Sequence, residues 1–198
     1  NHVDGFSCSS LYEAHLVREV VGRGSAIHLT TPGISEHHIN EFIEVCDTVV
    51  LNSLTQWIRF RDKFKGQVDL GLRINPQISF AEDPRYDPCR TNSKLGVPLD
   101  KLADQFEKSP QTFAGLNGLH FHNNCDSTDP SALAATVDKI ATVIPGLLNQ
   151  VSWINLGGGY LLDEFEEPEI FTATVQRLKN EFGLEVIIEP GAALVRTA

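Results

Sequence analysis

The chain contains no methionine, no C-x-x-C pair and no G-x-G-x-x-G fingerprint, and its basic residues are outnumbered by acidic ones, 16 to 26. Each absence excludes something. Cys8, Cys46, Cys89 and Cys125 form no small disulfide framework, so we read them as free thiols of a reducing, cytoplasmic compartment, with Cys8 and Cys46 as core packing. A net charge of -10 argues against binding a nucleic-acid backbone, and the acidic excess is read as ordinary solubility. No apolar run nears the roughly 20 residues that a membrane-crossing helix needs. No linker or low-complexity tract divides the chain, so residues 1–198 are read as one domain with a sizeable core. The lack of methionine, with Asn1 opening straight onto a strand-like run, leads us to expect further sequence upstream. A strand close to Ala198 leads to the same expectation downstream.

What is present is alternation. Apolar runs predict strands over 3–8, 26–29, 48–51, 68–74, 115–121, 151–156 and 184–188. Between them, helical spacing predicts a helix with Leu11, Ala14, Leu16, Val17 and Val20 on its apolar face, then a helix capped by Ser35. The capping box of that second helix is incomplete, because His38 stands where an acidic or amide side chain belongs. Further helices are predicted over 54–64, 98–106, 130–144 and 168–182, and a long polar loop runs from Gln77 to about Gly96. Strands alternating with helices imply a parallel α/β sheet, either doubly wound or a (β/α)8 TIM-type barrel. Seven strands fit a barrel without its first strand, which places the glycine triplet after strand seven and Glu189 at the end of strand eight. Two unpaired sheet edges would make such a unit prone to aggregate by itself.

Three groups of residues suit chemistry. His120 and His122 share one face of a strand by period-2 geometry, with Leu119 and Phe121 on the other. Gly157, Gly158 and Gly159 can turn several N–H groups onto one anion, or can simply form a tight turn. Glu189 ends the apolar run Val186-Ile187-Ile188, so its carboxylate is either paired, for instance with Arg73 or Arg196, or held against a cationic ring nitrogen or a metal. Arg73 shares a face with Gly71 and points to the same region, or forms a structural salt bridge. Asn123 and Asn124 read as a turn. His120, His122 and Glu189 would also suit a divalent metal in a barrel hydrolase.

Taken together, Gly-Leu-Arg-Ile-Asn-Pro (71–76), Asn-Ser-Lys-Leu-Gly-Val (92–97), Gly-Leu-His-Phe-His-Asn-Asn-Cys-Asp-Ser (118–127), Asn-Leu-Gly-Gly-Gly-Tyr (155–160) and Glu-Pro-Gly-Ala-Ala (189–193) resemble the alanine racemase-like barrel domain of the fold-type III pyridoxal-phosphate decarboxylases. The segment His-Phe-His-Asn-Asn-Cys points to their carboxynorspermidine branch, with diaminopimelate decarboxylases as relatives. The resemblance implies pyridoxal 5'-phosphate as cofactor, a carboxylated polyamine as substrate and a homodimeric full-length enzyme. It implies that His122 stacks on the cofactor ring and that Gly157, Gly158 and Gly159, with backbone near Gly191 and Ala192, hold the phosphate. Glu189 would pair with the protonated ring nitrogen and Arg73 would flank the ring. His120, Asn123 and Cys125 would meet the substrate. The family's cofactor-bearing lysine lies on the first barrel strand, and none of the seven lysines here stands in an equivalent place. No C-terminal β domain of the family is found in this sequence. Ala192 replaces a longer polar residue usual after Glu-Pro-Gly. A cofactor-binding unit without catalysis of its own is the remaining alternative.

Overall fold

A strand buried on both faces needs one cover inside the sheet's curve and another outside it. The structure, a computed structural model, describes residues 3–80, 85, 87–90 and 92–195 and shows both covers. Its strands are β1 (Gly5–Cys8), β2 (Ala26–Thr30), β3 (Thr48–Leu51), β4 (Asp69–Asn75), β5 (Val97–Pro98), β6 (Gly118–His120), β7 (Trp153–Gly158) and β8 (Glu185–Glu189). All pair in parallel, in the order β1-β2-β3-β4-β6-β7-β8, with the short β5 set beside the end of β4. The order never reverses, which excludes the switch point of a doubly wound sheet. Ser7 Oγ in β1 donates to Glu189 Oε1 in β8 at 2.8 Å, although these strands share no ladder among the described residues. The sheet is thus curled into a nearly closed barrel of the TIM type.

The outer cover is helical. Helices α1 (Leu11–Val21), α2 (Ile39–Val45), α3 (Leu54–Phe64), α4 (Leu99–Lys108), α5 (Ser131–Val143), α6 (Pro145–Leu148), α7 (Pro168–Phe182) and α8 (Gly191–Val195) follow the strands. Outward-facing Leu29, Val49, Leu72, Leu119, Phe121, Ile154 and Leu156 meet Trp57, Phe64, Leu102, Leu133, Val137 and Leu178 in one apolar layer. Ser10 caps α1 by accepting from Glu13 N, while the Glu13 carboxylate accepts from Ser9 N at 2.7 Å.

The inner cover is mostly polar, with one large exception. The Trp153 indole lies across the lumen, and Gly71 and Gly118 on the neighbouring strands make room for it. A Cβ on Gly71 would sit 2.5 Å from Trp153 Cη2, and one on Gly118 would fall within the indole. His28 meets the same indole edge-on, with ring centroids 5.2 Å apart. Trp153 is the floor on which the polar residues stand.

Two expectations change. Leu16 and Val20 are 61% and 74% exposed and align with exposed Tyr12, so the buried side of α1 is Ala14 with half-buried Leu11 and Val17. Ser35 caps no α-helix. Its side chain makes no capping bond, a 3-10 turn (Glu36–His38) intervenes, and α2 starts at Ile39. Without a partner three residues on, as the incomplete box implied, nothing closes a full turn there.

Candidate functional site

Strand register builds the site in levels. Gly71, Gly118 and Trp153 are partners at the level of the floor. Two residues further along, Arg73, His120 and Asn155 are partners on the same three strands. Two positions beyond His120 lies His122, and beyond Asn155 the glycine turn begins. The pairing of β7 with β8 slips between Asn155 and Gly158, which brings Gly158 opposite Glu189.

The glycine turn needs its glycines. Gly157 and Gly159 have φ of 72° and 82°, left-handed values that side chains disfavour. A Cβ on Gly157 would lie 2.8 Å from His122 Nδ1, and one on Gly158 would strike Glu189 O. His122 Nδ1 accepts from Gly158 N at 3.1 Å, so in the neutral ring Nε2 carries the proton. Gly157 N donates to Asn155 Oδ1 at 2.8 Å. The turn is therefore locked from below by two side chains.

Glu189 is asymmetric. Its Oε1 accepts from Ser7 Oγ at 2.8 Å and Asn155 Nδ2 at 2.9 Å, and lies 3.9 Å from His120 Nε2. Its Oε2 makes no hydrogen bond among the described residues. One oxygen is fixed and the other is open, an arrangement suited to an incoming N–H donor. The Arg73 guanidinium, half-buried, makes no hydrogen bond or salt bridge among the described residues, and burial lowers its pKa from the ordinary value. Burial likewise lowers His28, His120 and His122, most strongly His120, with Arg73 adding to the effect on His120 and His122. Burial thus favours the neutral form of all three rings. Cys89 Sγ lies 3.8 Å from His122 O, and burial pushes this thiol up to about 12.

His122, Gly157, Gly158, Gly159, Glu189 and Arg73 come together at the C-terminal ends of the strands. Gly191 begins α8 directly after β8, and the side chain of Ala192 lies outside the described residues, as does Arg196. Of the three expected substrate contacts, His120 meets the group only from beneath, 3.9 Å from Glu189, and the other two lie apart from it. His120 is 2% exposed, one level below Glu189, with no hydrogen-bond partner on either ring nitrogen. Asn123 is fully buried and turned outward, its Nδ2 donating to Thr136 Oγ1 of α5 at 2.7 Å. Cys125 is exposed on the following loop. The period-2 pattern ends with β6 at His120, and the chain beyond follows its own turns. Among the described residues no three His, Cys, Asp or Glu side chains gather as a metal site. A cavity of about 460 Å³ lies at the opposite, N-terminal ends of the strands, lined by Arg18, Asp47, Asp69 and Asn117 among others, and belongs to no part of this group.

Ser7, His28 and Asn155 are site residues that pattern reading passed over. His28 and Asn155 carried a visible signal, since each is a lone polar residue between two apolar ones in a strand.

A glycine turn, an imidazole and a half-satisfied carboxylate at the rim of a parallel barrel define a cofactor-binding barrel. Comparison with known families gives its class. Residues 4–196 match the family model "pyridoxal-dependent decarboxylase, pyridoxal binding domain", and the chain belongs to that family. It is 34% identical over 193 residues to the carboxyaminopropylagmatine decarboxylase of Synechocystis sp., covering 96% of this chain and 48% of that protein. It is 30% identical to the carboxynorspermidine/carboxyspermidine decarboxylase of Herminiimonas arsenicoxydans, covering 98% of this chain and 51% of the relative. The solved carboxynorspermidine decarboxylase of Campylobacter jejuni, complexed with norspermidine, superposes with a TM-score of 0.80 at 28% identity over 98% of this chain and 47% of that one. The chain spans about half the length of the curated relatives it matches. No helix among the described residues is long and apolar enough to cross a membrane.

Proposed function

We propose that the protein carrying this chain is a pyridoxal-phosphate-dependent decarboxylase of a carboxylated polyamine, namely carboxynorspermidine, carboxyspermidine or the related carboxyaminopropylagmatine. Residues 1–198 act in it as one cofactor-binding barrel unit of a cytoplasmic homodimer. The observation that carries this reading is the carboxylate of Glu189, with Oε2 free of hydrogen bonds among the described residues, on the residue opposite Gly158 of the turn that His122 holds. These residues fit a flat phosphorylated heterocycle. The glycine turn is fixed in shape, since any Cβ on it would strike the backbone of Phe121, Glu189 or Asn124, and the half-buried carboxylate has one oxygen left for a ring N–H.

In this reading the turn takes the phosphate through Gly159 and backbone near Gly191 and Ala192, while the N–H groups of Gly157 and Gly158 hold the turn in shape by donating to Asn155 Oδ1 and His122 Nδ1. His122 lies against the ring face, held at its angle by the Gly158 amide. Glu189 keeps a proton on the ring nitrogen, and Arg73 supplies positive charge alongside. When bound, the cofactor supplies an electron sink for the pair left by departing CO2. The carboxylate of Glu189 favours that withdrawal by stabilising a protonated, cationic ring. Trp153 closes the floor and keeps bulk water from the underside.

The test uses the full-length protein with added pyridoxal phosphate. A bound-cofactor absorption band and CO2 release from carboxynorspermidine, carboxyspermidine or carboxyaminopropylagmatine are the expected results. Absence of both rejects the reading, and CO2 from diaminopimelate alone reassigns the substrate.

A further inference from the structure

We propose that Asn155 is the positioning residue that couples the ring-nitrogen carboxylate to the phosphate turn, so that the two ends of the cofactor are gripped by one rigid unit. The inference rests on the cofactor reading above and extends it to a residue that touches neither end of the ligand.

The amide of Asn155 is fully used. Its Oδ1 accepts from Gly157 N at 2.8 Å, and its Nδ2 donates to Glu189 Oε1 at 2.9 Å. The second Nδ2 hydrogen faces His28 Nε2 at 3.3 Å. The orientation is unambiguous, because a backbone N–H can only donate and a carboxylate can only accept. The ring of His28 then accepts at Nε2 and carries its proton on Nδ1, in keeping with the lowered pKa that burial gives it. Asn155 is 0% exposed, so none of these bonds competes with water.

Two consequences follow from the geometry. A rotation of the Glu189 carboxylate breaks the Nδ2 bond, and a shift of Asn155 pulls on Gly157, whose N–H, in a residue with φ of 72°, donates to it. The glycine turn and the carboxylate therefore cannot adjust independently. A charged Asp in place of Asn155 would keep the bond to Gly157 but set a second carboxylate against Glu189 Oε1, and only a neutral side chain with both donor and acceptor serves both ends.

The experiment is a double-mutant cycle on the full-length protein. Dissociation constants are measured by quenching of tryptophan fluorescence for pyridoxal phosphate and for pyridoxal, which lacks the phosphate, in wild type, N155A, E189A and N155A/E189A. The expected result is about a 10-fold loss of pyridoxal phosphate affinity in N155A, the scale of one hydrogen bond to a charged group. That loss should shrink to about 3-fold or less when Glu189 is already alanine, and also when the ligand lacks its phosphate. A purely structural role gives the same loss in every background and with both ligands, which overturns the inference and leaves the cofactor reading standing. No pyridoxal phosphate binding by wild type rejects both. Should N155A not fold, N155D replaces it in the same cycle, with a loss at least as large expected in the presence of Glu189 and a smaller one in E189A.

Discussion

Gly118 and Trp153 occupy one space, the residue without a side chain lying against the indole on the adjoining strand. G118A should therefore drive a methyl group into a fully packed lumen and destabilise the protein by about 3 kcal/mol. The partner substitution W153L opens that space. G118A/W153L should melt above G118A in thermal unfolding followed by circular dichroism, and a double variant less stable than G118A would contradict the packing.

Arg18 holds three elements at the N-terminal end of the barrel. Its guanidinium donates to Val45 O twice, to Gly22 O and Ser25 O, and pairs with Asp47 at 2.9 Å, with its side chain 15% exposed. Removing it leaves several carbonyls unsatisfied, so R18A should lose about 3 kcal/mol in urea unfolding. R18K should recover little, because an ammonium cannot reproduce the fork.

Burial lowers the pKa of His28, His120 and His122 below the ordinary 6.5. Below pH 6.5 the unfolded chain then binds more protons than the folded one, so stability is full above that pH and falls as pH drops through it towards the folded values. Each such histidine adds up to about 1.4 kcal/mol per pH unit to the slope. H120N should flatten the fall of melting temperature between pH 6.5 and 5, and an unchanged slope would show that His120 is not neutral when folded.

E189Q keeps the shape of the side chain and an oxygen for Ser7 and Asn155, but removes the negative charge. Pyridoxal phosphate should still bind, as its absorbance on the protein reports, while kcat for decarboxylation falls by about 100-fold or more. Wild-type turnover in E189Q would remove Glu189 from the chemistry.

The strands and long helices could be read from the sequence because their apolar spacing is a local property. The predicted strand over 151–156 reappears as Trp153–Gly158, and the helix over 54–64 as Leu54–Phe64. Tyr12, Leu16 and Val20 show the limit of that reasoning, since an apolar stripe says nothing about which side of α1 meets the barrel. Glu189, His122 and the glycine triplet stood out because each breaks a local pattern. Ser7 did not, because its importance comes from register between strands, and it meets Glu189 across 182 positions of sequence. Asn155 did interrupt an apolar run, but only register shows that it joins Gly157 to Glu189. Asn123 misled for another reason. It was expected at the substrate by the family resemblance, but its side chain turns to α5, where Thr136 is its partner.

Every ladder of the main sheet joins strands that follow one another along the chain, whereas the bond between Ser7 and Glu189 links its first strand to its last. During synthesis each added unit has its neighbour already waiting, but this clasp must wait until Glu189, 182 positions after Ser7, has emerged. Cofactor capture should accordingly trail the return of helical signal in refolding, because the clasp forms only once both ends of this sheet are in place.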